Sequence, residues 1–191
     1  MRSDESPIPQ PQRAATPRGD GTGFGRTARS MHWLTVLMLV GSFALVWSVG
    51  WLSAGPARMQ AVGLHRTIGL LVLVITLLRV CWRVVDRRPP VIATSRWIWA
   101  ASGVHTMLLA SLLIVPMLGW AYTNARGHPV FLLGIQLPSL LFKDQYFSRV
   151  AIGTHEFLAY ALLALIGAHV AAALWHHLVL RDATLKRMWL G

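Results

Sequence analysis

Cysteine is almost absent, with Cys81 the only one in 191 residues. A single thiol excludes a disulfide framework, a thiolate zinc site, an iron–sulfur cluster and the C-x-x-C-H attachment of a c-type haem. Acids are scarce too: seven Asp and Glu stand against 18 Lys and Arg, and charged residues make up only 13% of the chain, about half the share found in soluble domains. That poverty of charge argues against a soluble fold. A net charge of +11 would point to nucleic acid in a soluble protein. Here the bases flank apolar runs and form no patch interleaved with aromatics, so nucleic acid is not an expected partner. The first 29 residues lack the apolar stretch of a signal peptide and carry Pro7, Pro9, Pro11 and Pro17, so they read as a disordered cytoplasmic tail.

What the chain has in abundance is hydrocarbon, at 54% hydrophobic residues. Crossing about 30 Å of lipid takes roughly 20 apolar residues, and the segments 31–52, 61–82, 97–122 and 150–178 qualify. The short connectors at Gly55-Pro56 and Arg87-Arg88-Pro89-Pro90 force antiparallel neighbours. The expectation is an all-α membrane protein, a four-helix transmembrane bundle in up-down-up-down order. The bundle covers 30–181, with a cytoplasmic C-terminal tail over 182–191. In that topology thirteen basic residues fall on the side of the two termini and five on the other, namely Arg58, Arg66, Arg126, Lys143 and Arg149. The positive-inside rule then puts both termini in the cytoplasm and the 123–149 loop outside. That loop has apolar stretches of its own, interrupted by Gly134 and Pro138, and should lie over the outer mouth of the bundle. Most of the nine tryptophans fall near span ends, as an aromatic belt would.

Histidine carries the chemistry. An ionisable group inside a membrane is costly unless paired or coordinated, and His32, His65, His155 and His169 all lie in or at the apolar spans. His155 and His169 are 14 residues apart, about 21 Å along a helix and within about 40° of one face. Antiparallel order brings His32 to the depth of His169 and His65 to that of His155. Two imidazoles from different helices at one depth suit a six-coordinate haem iron, and a b-type haem fits because the chain has no C-x-x-C-H pair of thiols to attach it, which gives two haems per chain. His105 also falls near the cytoplasmic depth and competes with His32 for that place. A histidine-lined metal transporter is the rival use, but such sites usually mix in carboxylates, and Glu156 is the only acid within the four spans.

Arg79 stands 14 residues after His65, at the depth of the cytoplasmic pair, and is expected to meet a haem propionate. Arg66, with Arg126 or Arg149, is the corresponding expectation for the outer haem. His176 follows His169 by seven residues, on nearly the same face but about 10 Å nearer the cytoplasm. That distance is too great for iron and suits proton exchange with a quinone headgroup, to which Ser30 could add a hydrogen bond. Gly41, Gly69, Gly119 and Gly167 are expected to permit close approach of helices or haem.

These residues resemble the bacterial cytochrome b561 family of four-helix dihaem proteins. The resemblance runs over 26–190: Ser30-Met31-His32-Trp33-Leu34; His65 and Gly69 leading to Arg79 and Trp82-Arg83; His105 with Pro116 and Gly119; and His155-Glu156, His169 and His176-His177. It implies ligation by His32 with His169 and by His65 with His155, in a multi-pass protein of the bacterial inner membrane. It also implies a superoxide:ubiquinone oxidoreductase, with superoxide drawn to the outer haem by Arg126, Lys143 and Arg149 and ubiquinone accepting electrons near Ser30 and His176. The wider group includes haem subunits that relay electrons for a partner dehydrogenase or hydrogenase, so a redox partner subunit is the alternative.

Overall fold

The computed structural model describes residues 25–85, 98–182, 184, 185 and 188. The expected tail up to residue 24 and the Arg87-to-Pro90 break lie outside the described residues. Four helices dominate: α1 Arg26–Val49, α2 Pro56–Val85, α3 Ile98–Ala125 and α4 Gln145–Leu178. The shortest has 24 residues, about 36 Å at 1.5 Å per residue, and all four are long and apolar enough to cross a membrane.

Three helix starts lie earlier than the apolar runs alone indicate, each for a local reason. Pro56 opens α2, where its missing N–H costs nothing and its fixed φ suits the first turn. Asp144 caps α4, its Oδ1 accepting the Tyr146 N–H at 2.7 Å and the Phe147 N–H at 3.0 Å, which moves the start from 150 to Gln145. α1 begins at Arg26, so Arg26 to Arg29 belong to the bundle and not to the tail. That stretch holds good helix formers and no breaker after Gly25.

The helices pack in chain order: α1 along α2, α2 against α3 and α3 along α4. Among the described residues, α4 has no comparable packing on α1 or α2. The core is one thin layer, Val72 (2% exposed), Leu112 (6%) and Leu162 (2%), with Met38, Leu39, Ile68, Leu108 and Ile166 against it. A seven-residue spacing explains its position, since two turns of helix return to the same face. Val72 is seven residues from both His65 and Arg79, Leu112 from both His105 and Gly119, and Leu162 from both His155 and His169. Outside that layer the helices leave large apolar side chains exposed, among them Leu37, Val40, Met107 and Phe157. In a chain this poor in charge, such surface is matched to lipid. Trp47, Trp51, Trp99 and Trp175 are exposed near helix ends, the positions of a membrane-interface belt.

The α3–α4 loop departs from the all-helical expectation in one detail. It contains a small antiparallel hairpin, β1 Phe131–Leu132 and β2 Ile135–Gln136. Leu133 (φ 50°) and Gly134 (φ 83°) both have positive φ, the signature of a two-residue type I′ turn. β1 rests on α2. The buried Asn124 side chain fixes the loop at both ends by donating to the His128 carbonyl and accepting the Leu140 N–H.

Candidate functional site

Two pairs of imidazoles face each other across the interval between α4 and the α1/α2 side of the bundle. The His65 and His155 ring centroids are 6.2 Å apart, and those of His32 and His169 are 6.4 Å apart. Histidine binds a first-row metal at about 2 Å, and its nitrogen lies about 1 Å from the ring centre, so opposite ligands of one metal have centroids roughly 6 Å apart. Both pairs meet that spacing. His105 also reaches the His32 level, but its centroid is 5.2 Å from that of His169, about an ångström tighter.

The backbone and hydroxyl groups around the His65–His155 pair fix its geometry. His155 Nδ1–H donates to the Val115 carbonyl of α3 at 2.9 Å. His65 Nδ1–H is shared between the Ser42 carbonyl at 3.1 Å and the Ser42 hydroxyl oxygen at 3.0 Å. Committing Nδ1 in this way sets the tautomer and leaves Nε2 as the nitrogen that can coordinate. A Cβ on Gly119 would lie 3.3 Å from His155 Cε1 and 3.4 Å from Nδ1, so the missing side chain is what admits the ring. The other three glycines differ: Gly41 makes only ordinary contact with Ile68, while Gly69 and Gly167 face open space. Gly69 is one turn from His65, and a Cβ there would meet nothing within 4 Å. Trp120, next to Gly119, has a buried Nε1–H with no hydrogen-bond partner among the described residues, a donor suited to a carboxylate or ligand oxygen.

Around the His32–His169 pair, Arg79 is half-buried and within electrostatic reach of His32 and His105. It has no carboxylate partner among the described residues. Beyond the His65–His155 pair, near the start of α2, Arg66 lines a cavity of about 350 Å³ together with Arg58, Met59, Val62 and His128. Arg58 and His128 carry no role in the sequence reading, and the cavity gathers them because residues 58, 62 and 66 recur every four on α2 while the loop brings His128 over them. Arg126, Lys143 and Arg149 are exposed, and the Lys143 stem lies across Gly127 (φ 80°). Ser30 is exposed on α1. The structure gives no contact between Ser30 and His176. His176 instead pairs with Asp182, Nδ1 to Oδ2 at 2.6 Å.

The donors match haem b better than a bare cation. Each tier offers two facing imidazoles from different helices, the donor set of a six-coordinate haem iron, and no group of three or more His, Cys, Asp or Glu able to hold a metal ion exists among the described residues.

Comparison with known proteins gives a consistent result. A family model described as prokaryotic cytochrome b561 matches residues 23–191. "Cytochrome b561 homolog 2" of Escherichia coli (strain K12) is 30% identical over 176 residues, covering 86% of this chain and 90% of the relative. "Cytochrome b561 homolog 1" of the same organism is 29% identical over 171 residues, covering 86% and 96%. The Yersinia pestis protein named "Probable superoxide oxidase CybB" is 24% identical over 160 residues, covering 83% and 90%.

Proposed function

The chain belongs to the prokaryotic cytochrome b561 family of haem b membrane electron carriers, and on that premise we propose a dihaem oxidoreductase of the bacterial inner membrane that takes electrons from superoxide outside and delivers them to ubiquinone. The observation that carries this reading is the pair of facing imidazoles at each of two depths, 6.2 and 6.4 Å between centroids. His65 with His155 would hold the outer haem, and His32 with His169 the inner one. The tighter His105 separation favours His32 as the fourth ligand. Bound haem iron would supply one-electron chemistry, cycling between ferric and ferrous states.

The remaining work falls to the chain's own residues. Val115 and Ser42 orient the outer imidazoles. Arg79 offers a guanidinium with no carboxylate partner among the described residues for an inner propionate, and Arg66 one for an outer propionate. Arg126, Lys143 and Arg149, joined by Arg58 and His128 at the cavity, draw a small anion toward the outer mouth. Ser30 and His176 stand at the cytoplasmic end for the quinone headgroup, with both termini on that side. Superoxide as donor draws support from the relative named as a superoxide oxidase.

The test is direct. Pyridine-haemochrome analysis of purified protein should give two haems b per chain, and a superoxide pulse should reduce them within the mixing experiment. His32→Ala should lose one haem while His105→Ala keeps both. Colourless protein would remove the whole reading, and haem that stays oxidised after the pulse would remove superoxide as donor.

A further inference from the structure

Beyond α4 the chain doubles back on itself. Val179 and Leu180 N–H groups both donate to the Trp175 carbonyl, and the Asp182 N–H donates to the His176 carbonyl at 3.1 Å. Arg181 makes this reversal possible by adopting φ 51°, a left-handed conformation uncommon for a residue with a side chain. The result places the Asp182 carboxylate against the His176 ring, and the rest of the carboxylate is held as well: Oδ1 accepts the Thr184 N–H at 2.8 Å. Farther on, the Met188 carbonyl accepts the Trp33 indole N–H at 2.7 Å, which ties the C-terminal segment to the start of α1, one residue from His32. A carboxylate fixed on Nδ1 of a histidine selects one tautomer, orients the ring and stabilises the imidazolium.

We propose that Asp182 is a positioning residue for proton delivery to the quinone, acting through His176. The proposal rests on the reading of His176 as a quinone-site residue. Two superoxide ions each give up one electron and leave as dioxygen, and ubiquinone takes those two electrons with two protons to become ubiquinol. His176 passes each proton from Nε2 to a quinone oxygen and regains it from cytoplasmic water. Asp182 keeps Nδ1–H in place throughout, so that Nε2 is always the nitrogen facing the acceptor. The Asp182 carboxyl is held below the usual carboxylate range by the hydrogen bonds from His176 and Thr184, so it remains an acceptor at neutral pH.

The test compares wild type, His176→Ala, Asp182→Asn and Asp182→Glu, with haem content checked in each. Prereduced protein is mixed with a ubiquinone analogue bearing a ten-carbon tail, and reoxidation is followed at the haem α band. Loss of an orienting partner of a functional histidine typically costs 10–100-fold. Asp182→Asn should therefore slow reoxidation at saturating quinone by about tenfold or more, with the half-saturating concentration and the haem content unchanged. Asp182→Glu should recover most of the rate. Nitrogen NMR of ¹⁵N-histidine protein should show one Nδ1-protonated tautomer for His176 in wild type and a tautomer mixture in Asp182→Asn. An Asp182→Asn variant as fast as wild type, or one with an unchanged His176 tautomer, overturns the role of Asp182. Failure of the analogue to reoxidise even wild-type protein would instead overturn the quinone reading beneath it.

Discussion

The His155 ring lies where it does because position 119 has no side chain. Gly119→Ala would put a Cβ 3.3 Å from Cε1, tighter than nearly all such contacts, so the imidazole must shift by a few tenths of an ångström. Overpacking of this kind costs about 1–3 kcal/mol. Gly119→Ala should weaken the haem proposed at His65 and His155 and Gly119→Val should remove it, both leaving the haem proposed at His32 and His169 in place; haem counting with separate α-band spectra would check this. Ser42→Ala is milder, because the Ser42 carbonyl still accepts from His65, and should weaken the outer haem by about tenfold or less. At Asp182 the sign of the pH effect follows from a lowered carboxyl pKa. The contact contributes above the ordinary carboxylate value near 4 and is lost only on stronger acidification. The Asp182 carboxyl carbon should therefore keep the chemical shift of an ionised carboxylate on going from pH 7 to pH 5, which carbon NMR would check. The facing of His32 with His169 and of His65 with His155 was legible in sequence because helix spacing and antiparallel order together fix depth and face. Their hydrogen-bond partners were not. The Val115 partner is a main-chain carbonyl, which no side-chain pattern reports, and Asp182 reaches His176 only through a backbone reversal at a residue that rarely makes one.

The four helices were readable because a membrane span needs length and hydrocarbon, and both are written directly in the sequence. Their ends were less so, because caps such as Asp144 and a leading Pro56 extend a helix past its apolar stretch. The hairpin at residues 131–136 escaped the sequence reading for another reason. Its strands are two residues long, too short to show alternation, and its turn sets Leu133 in a conformation usually left to glycine or asparagine. That hairpin matters because it rests on α2, at the helix whose outer end carries Arg58 and Arg66. Charge reversal at both arginines should slow reduction by superoxide by about tenfold or more and flatten its dependence on ionic strength. Stopped-flow mixing at low and high salt would measure this. Equal slopes in wild type and variant would show that the cavity does not steer the anion.

Across the whole bundle, α4 is held mainly by α3, and the interval toward α1 and α2 is crossed by imidazoles. A ligand that binds only the folded form stabilises it by mass action. Haem-depleted protein should therefore melt at a lower temperature and lose amide protection first along α4, as hydrogen exchange would record. The apolar layer of Val72, Leu112 and Leu162 has a different consequence. It separates the two histidine tiers with hydrocarbon that offers a proton no foothold, so negative charge moving inward between them has no companion. In the proposed orientation that movement runs against an inside-negative potential, at a cost of up to about 2.3 kcal/mol per 100 mV. Vesicles carrying the protein with its quinone end toward the lumen should thus turn over more slowly when valinomycin and high internal potassium make the interior negative, and faster when the potassium gradient is reversed.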